Sequence, residues 1–229
     1  MASFTAPTYD NELLYFNIEG KAEAIRLACS YASIPLKDTR FQDSAEFIQM
    51  KESGKLRFGQ VPALVVTNKS SNEVKTLVQT NAIIRFLAKQ DPNKALYSED
   101  PIISANIDAL LDAENDLFAG IGVARYKERF GFGFLEGNQE LLDQVYTQIN
   151  SEVLPRHLAN LDRVLNESKT GWLANTPTPT IADFVFAPRL KWLRSGIDGI
   201  PTTVLDGFEC ITTFLDKFYN LPEIAAYYK

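Results

Sequence analysis

The chain has 229 residues, 45% hydrophobic and 23% charged, with a net charge of −6 and 2 cysteines. That length accommodates one large or two ordinary domains with buried cores, and the composition is that of a soluble globular protein. The acidic balance argues against a general nucleic-acid binder, no apolar run approaches the roughly 18 residues of a membrane span, and two cysteines make neither a disulfide framework nor a metal set.

Residues 1–10 carry neither a basic start nor an apolar core, so no secretory signal is expected and the cytoplasm is the expected compartment. The organising stretch follows, from Glu12 to Arg26. Leu13, Leu14, Tyr15 and Phe16 form a continuous apolar run, predicted as a strand covered on both faces. A tight turn at Gly20 leads to a helix opening at about Lys21, with Ala22, Ile25, Ala28, Cys29 and Ala32 at helical spacing. A phenol delivered beside a helix N-terminus suits an anionic sulfur or carboxylate, because the hydroxyl donates and the free N–H groups add positive potential. The plain alternative is one more strand aromatic in a chain with 9 tyrosines.

Ile34-Pro35 ends the helical pattern, and 36–41 reads as a second strand. Ser44 heads a short helix over 45–51. After a loop at 52–60, the β-branched runs 61–66 and 74–78 flank a turn at 68–72 and form a hairpin. Gln79-Thr80 opens a third helix with the stripe Ile83, Ile84, Phe86 and Leu87. This βαβα–ββα order predicts a mixed sheet, with one crossover connection and one antiparallel pair. Residues 90–101, polar and broken by prolines, form a linker.

Everything beyond it reads as helical. A long amphipathic helix covers 102–130, with Ile103, Ile107, Leu110, Leu111, Leu117 and Ile121 as core candidates. Glycines break it at 131–137, and a second long helix covers 141–165 with a kink at Pro155. A buried helix follows Thr180, and a final one lies near 208–218. The fold class is α/β plus all-α, divided into domains 1–92 and 93–229. Cys29 and Cys210 are expected as buried inert thiols, and His157 as structural.

Three motifs add specificity. In Phe58-Gly-Gln-Val-Pro-Ala-Leu64 the proline heads a strand, and its peptide bond is either a cis bond that turns the Val61 backbone outward or an ordinary trans bond. Gln79-Thr80 puts an amide and a hydroxyl at a helix N-terminus, fit for an amino-acid carboxylate or for plain capping by Thr80. Thr180-Ile-Ala-Asp183 is a capping box with no chemistry of its own.

Tyr15-Phe-Asn-x-x-Gly-Lys-Ala-Glu-x-Ile-Arg26, Phe58-Gly-Gln-Val-Pro-Ala-Leu64, Gln79-Thr-x-Ala-Ile83 and Thr180-Ile-Ala-Asp183 together resemble, in order and spacing, the cytosolic glutathione S-transferases. The sigma class, with its prostaglandin D synthase relatives, is the most similar. The resemblance spans nearly the whole chain. It implies a thioredoxin-like N-terminal domain that binds glutathione as co-substrate, and a helical C-terminal domain that shapes a pocket for a hydrophobic electrophile.

The resemblance places the catalytic hydroxyl on Tyr15. It assigns glutathione contacts to Tyr15, Lys21, Phe47, Lys51, Gln60, Val61, a cis Pro62, Gln79 and Thr80. Asp116, reaching across a homodimer, completes the set, and no metal is needed. Departures from the family pattern are lysine for arginine at 21, which loses bidentate geometry, phenylalanine for tryptophan at 47, and threonine for serine at 80. Arg57 replaces a proline, and Asn115 replaces one acidic residue of a cluster that binds a divalent ion in some relatives.

The implied activity is conjugation. A glutathione-dependent isomerase and a non-catalytic, crystallin-like carrier are the alternatives, and the retained Tyr15, Gln79 and Thr80 count against the carrier. A thiol transferase would need a cysteine near position 15, and Cys29 is too far along the scaffold.

Overall fold

Four strands, β1 (Tyr9–Phe16), β2 (Lys37–Phe41), β3 (Ala63–Asn68) and β4 (Val74–Val78), form one sheet in the order β2–β1–β3–β4. The computed structural model describes residues 8–93, 95–197 and 199–229; residues 1–7, where no secretory signal is expected, and Lys94 of the expected linker lie outside them. The connection through helix α1 (Glu23–Tyr31) makes β1 and β2 parallel, while β3 pairs antiparallel with both β1 and β4. The hairpin turn is held by the Asn68 side chain, which accepts the Ser70 N–H at 2.9 Å.

Side chains along β1 alternate between faces. Leu14 joins Phe41, Leu56 and Ala63 in one cluster, with Phe16 and Phe47 packed against it. Leu13, opposite Leu64 in register, is fully buried. Helix α1 contacts α3 (Thr80–Ala88), and the two bury Ile25, Leu27, Ile83, Ile84 and Leu87. Each such side chain contributes about 1.5–3 kcal/mol. Helix α2 (Ser44–Glu52) is capped by Asp43 rather than by the expected Ser44: Asp43 has the extended backbone of a cap and accepts the Glu46 N–H at 3.0 Å.

The remaining helices are α4 (Pro101–Arg125), α5 (Gln139–Gln148), α6 (Leu154–Glu167), α7 (Ile181–Arg194), α8 (Glu209–Tyr219) and α9 (Pro222–Tyr227). The chain divides into two compact units, one running through Glu99 and taking in Pro222–Lys229, the other Asp100–Leu221. The first is the thioredoxin-like, mixed-sheet unit and the second is helical. Helix α9 therefore belongs with α1 in the first unit.

Several expected details change. Helix α4 stops at Arg125, and Ile103 is exposed, because burial of its stripe begins only at Ile107. Periodicity fixes a face without fixing how far along it the neighbours reach. The expected helix over 141–165 is two helices joined by a π-helical turn, Ile149–Val153. Pro155, in the first turn of α6, has no N–H for the carbonyl one turn back, and its ring crowds that carbonyl, so the backbone widens before it. Cys29 is buried, which pushes its thiol up to about 12. Cys210 is only partly buried, at the edge of the α8 stripe of Ile211, Phe214, Leu215 and Phe218. Among the described residues, no helix is long and apolar enough to cross a membrane.

Candidate functional site

Tyr15 is the penultimate residue of β1, its ring edge-on to Phe16 with centroids 5.6 Å apart, and it is buried. The chain then turns into a single 3-10 turn, Gly20–Ala22, that runs into α1. The Lys21 N–H donates to the Tyr15 hydroxyl oxygen at 3.2 Å. Gly20 makes this approach possible. Its φ is +46°, and a Cβ there would lie 2.5 Å from the Tyr15 hydroxyl oxygen. No side-chain cap closes this helix start, so a strand-end phenol sits at the donors of a helix N-terminus. A phenol oxygen that accepts an N–H is polarised toward donating its own proton.

A second helix start lies beside the first. The Thr80 hydroxyl donates to the Lys21 carbonyl at 3.5 Å. Thr80 is thus the first helical residue of α3 and not its cap. Gln79 holds the cap position with φ +75° and no side-chain cap bond. A left-handed conformation at a long non-glycine side chain costs about 1–3 kcal/mol and tends to occur at functional sites.

The Val61–Pro62 peptide bond is cis, and the ladders of β3 begin at Ala63, so Val61 lies just outside them. At Gly59 (φ +63°) the aliphatic stem of Lys51 passes close, its Cε 3.2 Å from where a Cβ would be, which puts Lys51 beside the Gly59-Gln60 backbone. Phe47 packs on Phe16 and Phe41, with centroids at 5.2 and 6.2 Å, as part of the core beneath α2. The structure therefore gathers Tyr15, Lys21, Gln79 and Thr80 at two helix starts, and Lys51 with Gln60 at Gly59. Asp116 is exposed on α4, in the helical unit. Among the described residues, no group of three or more His, Cys, Asp or Glu is placed to hold a metal ion.

Sequence reasoning missed the buried charges behind the Tyr15 turn. Arg26 is buried; its Nη1 donates to the carbonyls of Ile18 (2.8 Å) and Glu19 (3.3 Å), and its Nε to the Asp38 carboxylate (3.1 Å). Glu23, equally buried, pairs with Arg26 at 3.2 Å. The available signal was Glu23-x-x-Arg26, an i,i+3 charge pair inside an otherwise apolar stripe.

Two uncapped helix starts and a phenol donor suit a ligand with a nucleophilic sulfur and an amino-acid carboxylate. Comparison with known proteins agrees with that chemistry. Residues 11–89 match the family model for "Glutathione S-transferase, N-terminal domain", and residues 127–229 that for "Glutathione S-transferase, C-terminal domain". Hematopoietic prostaglandin D synthase of Mus musculus is 28% identical over 224 residues, covering 96% of this chain and 95% of its own. A glutathione S-transferase of Anopheles gambiae is 26% identical over 218 residues, covering 95% of each chain. The solved structure of monomeric Na-GST-3, a glutathione S-transferase of the hookworm Necator americanus, matches with a TM-score of 0.71 and 27% identity over 95% of each chain.

Proposed function

The chain belongs to the glutathione S-transferase family, and on that premise we propose that Tyr15 activates the thiol of the co-substrate. The enzyme conjugates glutathione to small electrophiles. The thiol itself is a poor nucleophile and titrates near ~8.5 when free. Lowering that by two units takes roughly 2.7 kcal/mol of preferential thiolate stabilisation. One charge-assisted hydrogen bond from Tyr15, helped by the open helix start, is of that size. Tyr15 acts as donor throughout, and the thiolate attacks the electrophilic carbon without a covalent enzyme intermediate.

The observation that carries this reading is the Lys21 N–H to Tyr15 hydroxyl contact, closed by Gly20. Around it, Gln79 and Thr80 take the γ-glutamyl carboxylate, and Val61, ahead of the β3 ladder, pairs with the cysteinyl backbone. Gln60, Lys51 and Lys21 take the remaining polar groups. Phe47 and Pro62 shape the wall. Glutathione thus occupies the thioredoxin-like domain expected over 1–92, and the helical domain, without α9, forms the acceptor pocket. Tyr15→Phe removes only the hydroxyl: it should fold and bind glutathione, while conjugation of a simple aromatic electrophile falls steeply. Ultraviolet titration of the bound thiol should move back toward the free value, and an unchanged titration would sink the mechanism.

A glutathione-dependent isomerase is the second reading, favoured by the likeness to a prostaglandin D synthase. It uses the same thiolate without net conjugation, so an endoperoxide turned over while glutathione is not consumed would identify it.

We also place the chain in the sigma class, in the cytoplasm and in a homodimer. Two cysteines, both free, suit a reducing compartment. For the dimer, Asp112, Asn115 and Asp116 form an exposed polar edge on α4, and Phe58 is exposed enough to insert between subunits. Asp116 from a partner would face the cationic amino group of glutathione. Sedimentation should give twice the 25.7 kDa chain mass, and Asp116→Asn should weaken glutathione binding without dissociating the dimer. A monomer with full glutathione affinity, in keeping with the monomeric hookworm relative, would remove the shared site and leave Tyr15 untouched.

A further inference from the structure

We propose that Arg26 is a positioning residue for the Tyr15 hydroxyl, and that the last helix of the chain sets it through Tyr228 and Glu23; this rests on the reading of Tyr15 given above. The Ile18 and Glu19 carbonyls that accept from Arg26 Nη1 immediately precede Gly20 and Lys21. The Lys21 N–H is the group that meets the phenol oxygen. One guanidinium thus ties the turn to α1 from the inside, and its Cζ lies 5.8 Å from the centroid of the Tyr15 ring.

Two carboxylates fix the plane of that guanidinium. Glu23 Oε2 approaches Nη1 at 3.2 Å, and Asp38 Oδ2 approaches Nε at 3.1 Å. Arg40 shares Asp38 at 2.7 Å, and Tyr227 lines the same cleft as Arg26, Asp38 and Arg40. The side chains of Arg26 and Glu23 are only 2% and 3% exposed. Burying such a pair gains little stability over apolar residues of the same volume. What apolar residues could not do is hold two turn carbonyls in place.

The second oxygen of Glu23 reaches the far end of the sequence. Tyr228 donates its hydroxyl to Glu23 Oε1 at 2.9 Å, across 205 positions. Helix α9 brings it there, anchored by the fully buried Ile224 and in contact with α1. Glu23 is therefore held between Arg26 and Tyr228. Removing the Tyr228 hydroxyl loosens Glu23, then the guanidinium, then the turn, and the Lys21 N–H drifts from the phenol. Thiolate stabilisation falls, while Gln79 and Thr80, on α3, keep their hold on glutathione.

The test compares Tyr228→Phe, Arg26→Lys and Tyr15→Phe in the full-length protein, by the pH profile of kcat/KM for conjugation and by ultraviolet titration of bound glutathione. Tyr228→Phe should lower kcat/KM about fivefold near pH ~6.5 and recover at alkaline pH, where the thiol ionises unaided. Its titration midpoint should rise, with glutathione affinity within about twofold of wild type. Arg26→Lys, if it folds, should move the same quantities further. A Tyr228→Phe profile with the wild-type midpoint, or a loss equal at every pH, overturns the inference while a shifted Tyr15→Phe keeps the Tyr15 mechanism. An unshifted Tyr15→Phe overturns both.

Discussion

The helix starts at Gly20 and Thr80 carry no side-chain cap, whereas the start of α7 is closed by its own residues. There Asp183 Oδ2 accepts the Thr180 N–H at 2.7 Å and the Thr180 hydroxyl at 3.1 Å, and Oδ1 accepts the Leu173 N–H at 2.9 Å. Asp43, Asp100 and Asn138 likewise close α2, α4 and α5. Every helix begins with N–H groups that need partners. At α7 the chain's own side chains supply them, whereas at the Gly20 start the Lys21 N–H goes to the Tyr15 hydroxyl. Side-chain capping thus sets the starts at Gly20 and Thr80 apart from those of α2, α4, α5 and α7, while α8, uncapped at Phe208, takes a partner from α6 through Asp162.

The largest test is at the closed end. Asp183→Ala orphans two buried backbone N–H groups and should cost about 4 kcal/mol of stability in urea unfolding, with glutathione affinity of the folded protein intact. A variant that is stable but loses glutathione would break the division between the two kinds of end.

The next is a pH dependence. Burial pushes the Asp183 carboxyl up to about 6 despite the three donors around it, against an ordinary value of 3.8. Between those values the folded state holds the proton more tightly than the unfolded state, so this group's contribution falls as pH rises from 4 to 6 and is level above that. The stability gap between wild type and Asp183→Ala should therefore widen on acidification through that window, by up to about 3 kcal/mol. A gap that narrows would show that the three donors outweigh desolvation.

At the open end the effects move to the ligand. Gln79→Ala should weaken glutathione by about 2 kcal/mol, read in its Michaelis constant more than in turnover, with unfolding nearly unchanged. The smallest effect sharpens the contrast. Gln79→Gly relieves the left-handed backbone and should raise stability by about 1 kcal/mol or less, while glutathione binding falls as in the alanine variant. If Gln79→Gly destabilises the protein, the strain is not stored for the ligand.

Local signals made much of this readable from sequence. The apolar run before Gly20, the hairpin, the proline at the head of β3 and the Thr180–Asp183 capping box all depend on neighbours within a few positions. The parts that escaped depend on distant partners or on the extent of neighbouring elements. Arg26 and Glu23 read as interruptions of an apolar stripe, because Asp38 and Tyr228 come from β2 and from the chain end. Ile103 kept the right spacing and is still exposed. At Pro155 the sequence announced a bend, but the wide turn preceding it depends on how the backbone absorbs the missing N–H.

Cys29 raises the matter of self-inactivation. A catalyst working among electrophiles carries sulfur of its own that those reagents could alkylate. With its thiol pushed up to about 12 by burial, Cys29 stays protonated at neutral pH, and the protonated thiol is a poor nucleophile. It is only 3% exposed, at the floor of the cleft that Arg26, Asp38, Arg40 and Tyr227 also line. A reagent entering the protein therefore meets a reactive sulfur on the borrowed tripeptide and an inert one in the first helix, and the scaffold thiol left open to it is Cys210, free and only partly buried on α8.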